Sequence, residues 1–341
     1  MHSFATEAAT SGSIHWDTWV ATYQGIRSAA ARLINSTPRE IAIVKNTSEG
    51  ISTVANGLRW RAGDKVVVFR EEFPSNQYAW QRLEARGVHV EWLSIFDPLD
   101  RVEEACRGAR LLAVSFVQYL SGYRADLDAL GEICARHGVF FFVDAIQGLG
   151  AVPLDVRRSR IHALAADGHK WLLGPEGCGV LFVAREMQEE VEPVEFGWTN
   201  VAGYADYSSR DMTLRSDASR YECGSLNTIG CFGLRASLDF INQIGLANIA
   251  PVVESLGNQL WTGLRELGCE TLGERSPATA AGIVSFRHPG IEAHLIVRRL
   301  KELKFIAAPR QGWVRLAPHF YISPDEIAAV LAAISRIASG K

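Results

Sequence analysis

The segment Val139–Phe140–Phe141–Phe142–Val143 is apolar at every position. A strand of that kind has two faces to bury, which a soluble chain achieves by covering both sides of a parallel sheet with helices. The surrounding sequence supplies both partners. Apolar runs at Ile41–Val44, Lys65–Phe69, Val88–Leu93, Leu111–Phe116, Leu164–Ala166 and Val180–Val183 read as further strands. Between them, helical spacing appears from a cap at Thr47 or Ser48 through Ile51, Val54, Ala55 and Leu58, at Asn76–Arg86 and at Leu127–His137. This alternation predicts an α/β fold with a mostly parallel sheet flanked by helices.

The pattern changes after an irregular stretch from Glu192 to Asn227. Helices are expected at Cys231–Gly245, Ala247–Leu267 and Glu292–Leu303, with short strands at Gly282–Phe286 and Trp313–Leu316. Ser323, Pro324 and Glu326 form a capping-box start for a last helix. The expected organisation is an N-terminal helical segment (1–40), a large α/β domain (41–234) and a smaller α+β domain (235–341). No internal repeat stands out.

Composition narrows the class of function. The 341 residues are 48% hydrophobic and 21% charged, with a formal net charge of -3. Such a near-neutral globular chain favours neither nucleic acid nor an anionic membrane surface as a partner. No apolar run reaches the roughly 18 residues of a membrane span. The opening "MHSFATEAATSGSIHW" lacks the basic-then-apolar order of a secretory signal. Cys106, Cys134, Cys178, Cys223, Cys231 and Cys269 show no metal-type spacing, so no metal site is expected. Scattered cysteines point to a reducing compartment, and the cytoplasm is the expected location.

Four features fall just beyond strand ends, where open α/β sheets bind ligands. Asp144 follows the Val139–Val143 strand, with Gln147 one turn on. Thr47 and Ser48, with Gly50, open a helix whose N–H groups suit a phosphate. Lys170 sits beside His169 between two strands. Glu72–Phe73 follows Lys65–Phe69 and brings an aromatic face. Singly, these read as a turn former, a helix cap, surface charges and a loop anchor. Together, an amine, a carboxylate, a hydroxyl-rich helix start and an aromatic ring match what pyridoxal 5'-phosphate requires. The nucleotide loops G-x-x-x-x-G-K-[ST] and G-x-G-x-x-G are absent, which leaves a dehydrogenase a distant alternative.

The blocks "NTSEGISTVANGL", "EEFPSNQYAW", "VDAIQGLGAVPLDV", "ADGHKWLLGPEGCGVLFV", "YECGSLNT" and "VRLAPHFYISPDEI" together resemble the class V aminotransferase family of fold type I pyridoxal-phosphate enzymes. That family includes cysteine desulfurases, isopenicillin N epimerase-like proteins and kynureninases. The resemblance implies that Lys170 forms a Schiff base with the cofactor and moves protons. It implies that Asp144 pairs with the ring nitrogen and that Gln147 lies near the ring hydroxyl. Thr47 and Ser48 would hold the phosphate, His169 would sit beside the phosphate or Lys170, and Phe73 would take the ring-stacking place. Ser225 would reach the partner's cofactor in a homodimer, and Arg315 would grip the substrate carboxylate.

Three departures from the family pattern bear on the reaction. No cysteine occurs from Phe305 to His319, where desulfurases carry a mobile nucleophile, and Phe73 replaces their stacking histidine. Asp167 stands where desulfurases have a phosphate-binding serine, so its carboxylate is expected to turn towards His169 or the backbone. The chain also opens near the helix "IHWDTWVATYQGIRSAAARLIN", as though a preceding entrance segment were shortened. The resulting expectation is an amino-acid-acting enzyme of aminotransferase or lyase type. An isopenicillin N epimerase-like activity is the alternative, and a non-catalytic relative is the rival from another class.

Overall fold

The computed structural model describes residues 1–339. It divides into two compact units: Met1–Phe116 with Asp126–Ile244, and Val117–Ala125 with Gly245–Lys341. The segment 1–40 therefore groups with the large unit. The first unit also extends past residue 234, because one continuous helix, Thr228–Ile244, runs through that position.

In chain order, the first unit contains α1 (His2–Ser11), α2 (Trp16–Ile34), β1 (Ile41–Val44), α3 (Thr47–Gly57), β2 (Lys65–Phe69), α4 (Ser75–Gln81) and β3 (His89–Leu93). It continues with α5 (Leu99–Cys106), β4 (Leu111–Ser115), α6 (Leu127–His137), β5 (Phe140–Asp144), β6 (Ala163–Asp167), β7 (Gly179–Val183) and α7 (Thr228–Ile244). Among the described residues the strands form one sheet in the order β1-β7-β6-β5-β4-β2-β3. β3, β2, β4, β5 and β6 run parallel, while β7 pairs antiparallel with both β6 and β1. The all-apolar strand lies in the middle, and Phe141 and Phe142, pointing to opposite faces, are both 0% exposed.

Two elements depart from the periodicity. The expected helix at residues 76–86 is α4 followed by a 3-10 segment, Arg82–Arg86, which Gly87 closes in a left-handed conformation at φ 77. α5, LDRVEEAC, is a two-turn helix with half its residues charged; Val102, Ala105 and Cys106 turn inward. A buried ion pair fastens the N-terminal helix to the sheet edge. Glu222 accepts both from Arg27 of α2 and from the Ile43 amide of β1, the latter at 2.8 Å.

The second unit contains α8 (Leu246–Glu266), β8 (Glu270–Thr271), β9 (Val284–Arg287), α9 (Ala293–Glu302), β10 (Ala308–Arg310), β11 (Trp313–Leu316) and α10 (Pro324–Ala338). Its strands are antiparallel in the order β10-β11-β9-β8. Leu256, Leu260 and Leu264 of α8 pack with Phe286, Val314, Ile327 and Ile334. The Ser323 capping box forms as the sequence predicts. Arg310 pairs with Trp313, so only Gln311 and Gly312 turn the chain, at φ 48 and φ 81, as a two-residue hairpin requires. Among the described residues no helix is long and apolar enough to cross a membrane.

Candidate active site

The sheet brings three strand ends together. Ser115 and Asp144 are register partners at the C-terminal ends of β4 and β5, and Asp144 pairs in turn with Ala165 of β6. The loop leaving β6 carries His169 and Lys170. It is held closed by bonds from Gly168 N to Cys178 O (3.0 Å) and from Gly174 N to Gly168 O (2.7 Å). A side chain at Gly168 would place its Cβ 2.6 Å from Cys178 O, so the loop closes this tightly only around glycine.

Asp144 is 3% exposed, and its Oδ1 accepts from the Ile146 amide at 3.1 Å. Burial pushes its carboxyl up to about 7 against that bond; the Glu72 charge adds to the rise and Lys170 opposes it. Lys170 extends its Nζ to 5.8 Å from the ring centroid of Phe73, which is itself 43% exposed. Gln147 is buried, and its Oε1 accepts from Trp171 Nε1 at 3.1 Å, which fixes the residue after Lys170. Asp144 and Phe73 thus lie within reach of Lys170, and Gln147 within reach of the residue after it.

The helix start lies beside them, with one correction. Asn46, not Thr47 or Ser48, caps α3: its Oδ1 accepts from Glu49 N at 2.9 Å. The Thr47 hydroxyl instead accepts from the Asp167 amide at 3.0 Å, and Ser48 Oγ meets Ser75 Oγ at 2.7 Å. Thr47 and Ser48 occupy the first two helical positions, whose amides have no intrahelical acceptor. Gly50 lets α3 approach β6, since a Cβ there would lie 2.7 Å from that of Ala165. Asp167 is turned as expected: Oδ1 accepts from Gly168 N at 2.7 Å and Oδ2 lies 3.0 Å from His169 Nδ1. Burial raises the Asp167 carboxyl above its ordinary value, with His169 opposing the rise.

Two expected residues are described elsewhere. Ser225 is exposed and lines a cleft with Lys45, Glu49 and Asn227. Arg315 belongs to the second unit, where its Nη1 donates to Tyr119 O at 2.8 Å. Burial, followed by Arg310, lowers its pKa, yet a guanidinium keeps its charge.

Sequence reasoning gave Glu72 no role beside Phe73. It is 2% exposed; Oε1 accepts from Ser115 N at 2.8 Å, and Oε2 accepts from Ser115 Oγ and from Asn76 Nδ2 (3.0 Å). The available signal was Asn76 four residues along in "EEFPSN".

The donor set fits a phosphorylated pyridine aldehyde: an amine for the aldehyde, a buried carboxylate for the ring nitrogen and a helix start for the phosphate. Among the described residues no cluster of His, Cys, Asp or Glu could hold a metal ion.

Comparison with known proteins points the same way. The family model described as "Aminotransferase class-V" matches residues 5–312. A probable cysteine desulfurase of Methanothermobacter thermautotrophicus is 33% identical over 328 residues, covering 89% of this chain and 80% of that protein. The apo structure of a cysteine desulfurase from Thermococcus onnurineus NA1 superposes with a TM-score of 0.89 at 30% identity, over 95% of this chain and 86% of that one. A variant of C-DES with glycine covalently linked to its PLP cofactor shares the fold, with a TM-score of 0.89 at 23% identity, over 97% of this chain and 90% of that one. The chain belongs to the class V aminotransferase family.

Proposed function

We propose that this protein is a pyridoxal-phosphate-dependent enzyme acting on an amino acid, of aminotransferase or lyase type, with Lys170 as its cofactor-binding amine. The observation that carries this reading is Lys170 facing a buried Asp144 whose carboxyl is raised to about 7. When bound, pyridoxal phosphate supplies an aldehyde to amines and an electron-poor ring that accepts charge from a breaking bond at the amino-acid α-carbon. Asp144 would hold a proton on the ring nitrogen by standing beside it as a buried, negatively charged partner. Lys170 Nζ is the amine that would hold the cofactor's aldehyde and would carry the proton of the substrate α-carbon. The Thr47 and Ser48 amides would receive the phosphate, and Phe73 would cover the ring. Gln147, through Trp171, keeps Lys170 aimed. His169, braced by Asp167, stands at the phosphate side.

The relatives are named cysteine desulfurases, but a desulfurase of the mobile-cysteine kind is not the reading favoured here. No cysteine occurs between Phe305 and His319, and β10 and β11 are joined by a two-residue turn with no room for a mobile loop. Isopenicillin N epimerase-like chemistry would use the same residues and remains the alternative. The functional unit is proposed to be a homodimer in which exposed Ser225 reaches the partner's cofactor.

Titrating the purified protein with pyridoxal 5'-phosphate, followed by an amino-acid screen, tests the reading. A visible absorption band that changes with particular amino acids supports it and identifies the substrates taken; no band at excess cofactor overturns it. Arg315→Ala is expected to weaken α-carboxylate substrates by roughly 2–5 kcal/mol, because a desolvated carboxylate loses a fork of donors. Substrate dissociation constants measured from the same spectra decide this; unchanged affinity would move the carboxylate site elsewhere.

A further inference from the structure

Asp144 is the buried carboxylate that the proposed function uses, and Glu72 is a second buried carboxylate that it does not. The two come from different parts of the sheet. Glu72 lies three residues past β2, and Asp144 ends β5. β4 stands between these strands, and its last residue, Ser115, is the register partner of Asp144. Ser115 gives Glu72 both its amide, at 2.8 Å, and its hydroxyl. Asn76 gives Glu72 a third donor at 3.0 Å, and is itself held by Trp80 Nε1 at 2.8 Å. Trp80 is 0% exposed and packs edge-on against Phe142 of β5 at 5.4 Å between ring centroids. Three donors converging on one carboxylate favour its anionic form.

This framework does two things. It ties the loop that carries Phe73 to the end of β4, because Phe73 follows Glu72 directly. It also fixes a second carboxylate close to Asp144, the two residues being 2% and 3% exposed. The charged groups that face Asp144 are Glu72 from the β2–α4 loop and Lys170 from the β6–β7 loop, with the Ile146 amide from its own chain end. Lys170 favours the Asp144 anion, whereas Glu72 opposes it.

We propose that Glu72 is a positioning residue that makes Asp144 a stronger base, so that a proton shared between Asp144 and the cofactor ring is retained. This rests on the proposed cofactor role of Asp144, but it is a statement about two carboxylates of this chain and can be tested without the cofactor. Glu72→Gln keeps the size of the side chain and an oxygen that accepts from Ser115 while removing the charge.

In cofactor-free protein labelled with 13C at the aspartate and glutamate carboxyls, the Asp144 signal is identified by its loss in Asp144→Asn. Its titration midpoint is expected to fall by about one pH unit in Glu72→Gln, the size of effect a near like charge produces. A merely structural Glu72 would leave that midpoint in place, and an unchanged midpoint overturns the proposal. Should Glu72→Gln not fold, the wild-type protein alone decides. One glutamate carboxyl is expected to show an inflection at the Asp144 midpoint and to lose it in Asp144→Asn. Absence of any such inflection overturns the proposal equally. A wild-type protein that binds no cofactor would overturn the proposed function, while the cofactor-free titration still decides the part played by Glu72.

Discussion

Lys170→Ala is expected to abolish every borohydride-fixable bond between the protein and pyridoxal phosphate. The wild-type chain, incubated with cofactor and reduced, should carry one label on the peptide that contains Lys170; the variant should carry none. The expectation follows from the loop geometry. Lys170 lies in the loop that joins β6 to β7, and that loop is closed around Gly168 while Trp171 is held by Gln147. Two other lysines of the first unit are engaged elsewhere: Lys45 pairs with Glu49 and Glu195, and Lys65 pairs with Glu91. The cofactor itself should still bind the variant, because Asp144 and the start of α3 are untouched. Turnover should fall by more than the ~10²–10⁴-fold that a positioned proton carrier contributes, since cofactor attachment is lost as well. Lys170→Arg separates charge from chemistry: a guanidinium can keep a cation over Phe73, yet it cannot bond the aldehyde. Mass spectrometry of reduced, digested protein reads all three forms. A label retained in Lys170→Ala would assign the attachment to another amine.

Much of this site was legible because each of its groups lies at the end of an element that the sequence marks clearly. Asp144 closes an all-apolar strand, Lys170 sits in a Gly- and Pro-rich turn between two apolar runs, and Thr47 opens a helix after a short strand. Periodicity locates such ends to within a residue or two, and strand ends in a parallel sheet share one edge. What stayed hidden was set by contacts between segments distant in sequence. Glu72 is an unremarkable acid until Ser115, 43 residues away, donates to it. The cap at Asn46 was displaced by one residue because Thr47 finds its partner in Asp167, 120 residues away, rather than in its own helix. Glu222 reads as part of a surface-like "YECGS" run, yet it is buried against Arg27 and the backbone of β1. α5 escaped for a different reason: Leu99, Val102, Ala105 and Cys106 keep helical spacing, but eight residues give only two turns of it.

Asp144→Asn is expected to make the cofactor-free protein more stable and the cofactor complex weaker. In the folded chain the Asp144 carboxyl is raised from 3.8 to about 7, so the native state holds a proton that the unfolded chain has released throughout that interval. Wild-type stability therefore falls as pH rises from about 4 through about 7, and the cost is complete above the folded value. Three pH units correspond to a cost on the order of 4 kcal/mol, which the buried anion imposes at pH 8. Asparagine has no ionised form, and its oxygen can still accept from the Ile146 amide. The variant's advantage in Tm should thus be absent near pH 4, grow across the interval and level off above pH 7. Cofactor affinity should move the other way, by roughly 2–5 kcal/mol, because a buried ring nitrogen loses its charged partner. Thermal unfolding of both cofactor-free proteins at pH 5 and pH 8.5, with cofactor titrations at the higher pH, tests the two halves separately. Equal Tm differences at both pH values would mean that Asp144 does not titrate in this range, and the account of its basicity would fall. A stabilised variant with undiminished cofactor affinity would leave a strained buried acid in the chain but would place the ring nitrogen elsewhere. If both expected effects appear, the cofactor-free enzyme carries at Asp144 an unfavourable charge that cofactor binding relieves, and the same burial that weakens the empty fold strengthens the hold on the ring.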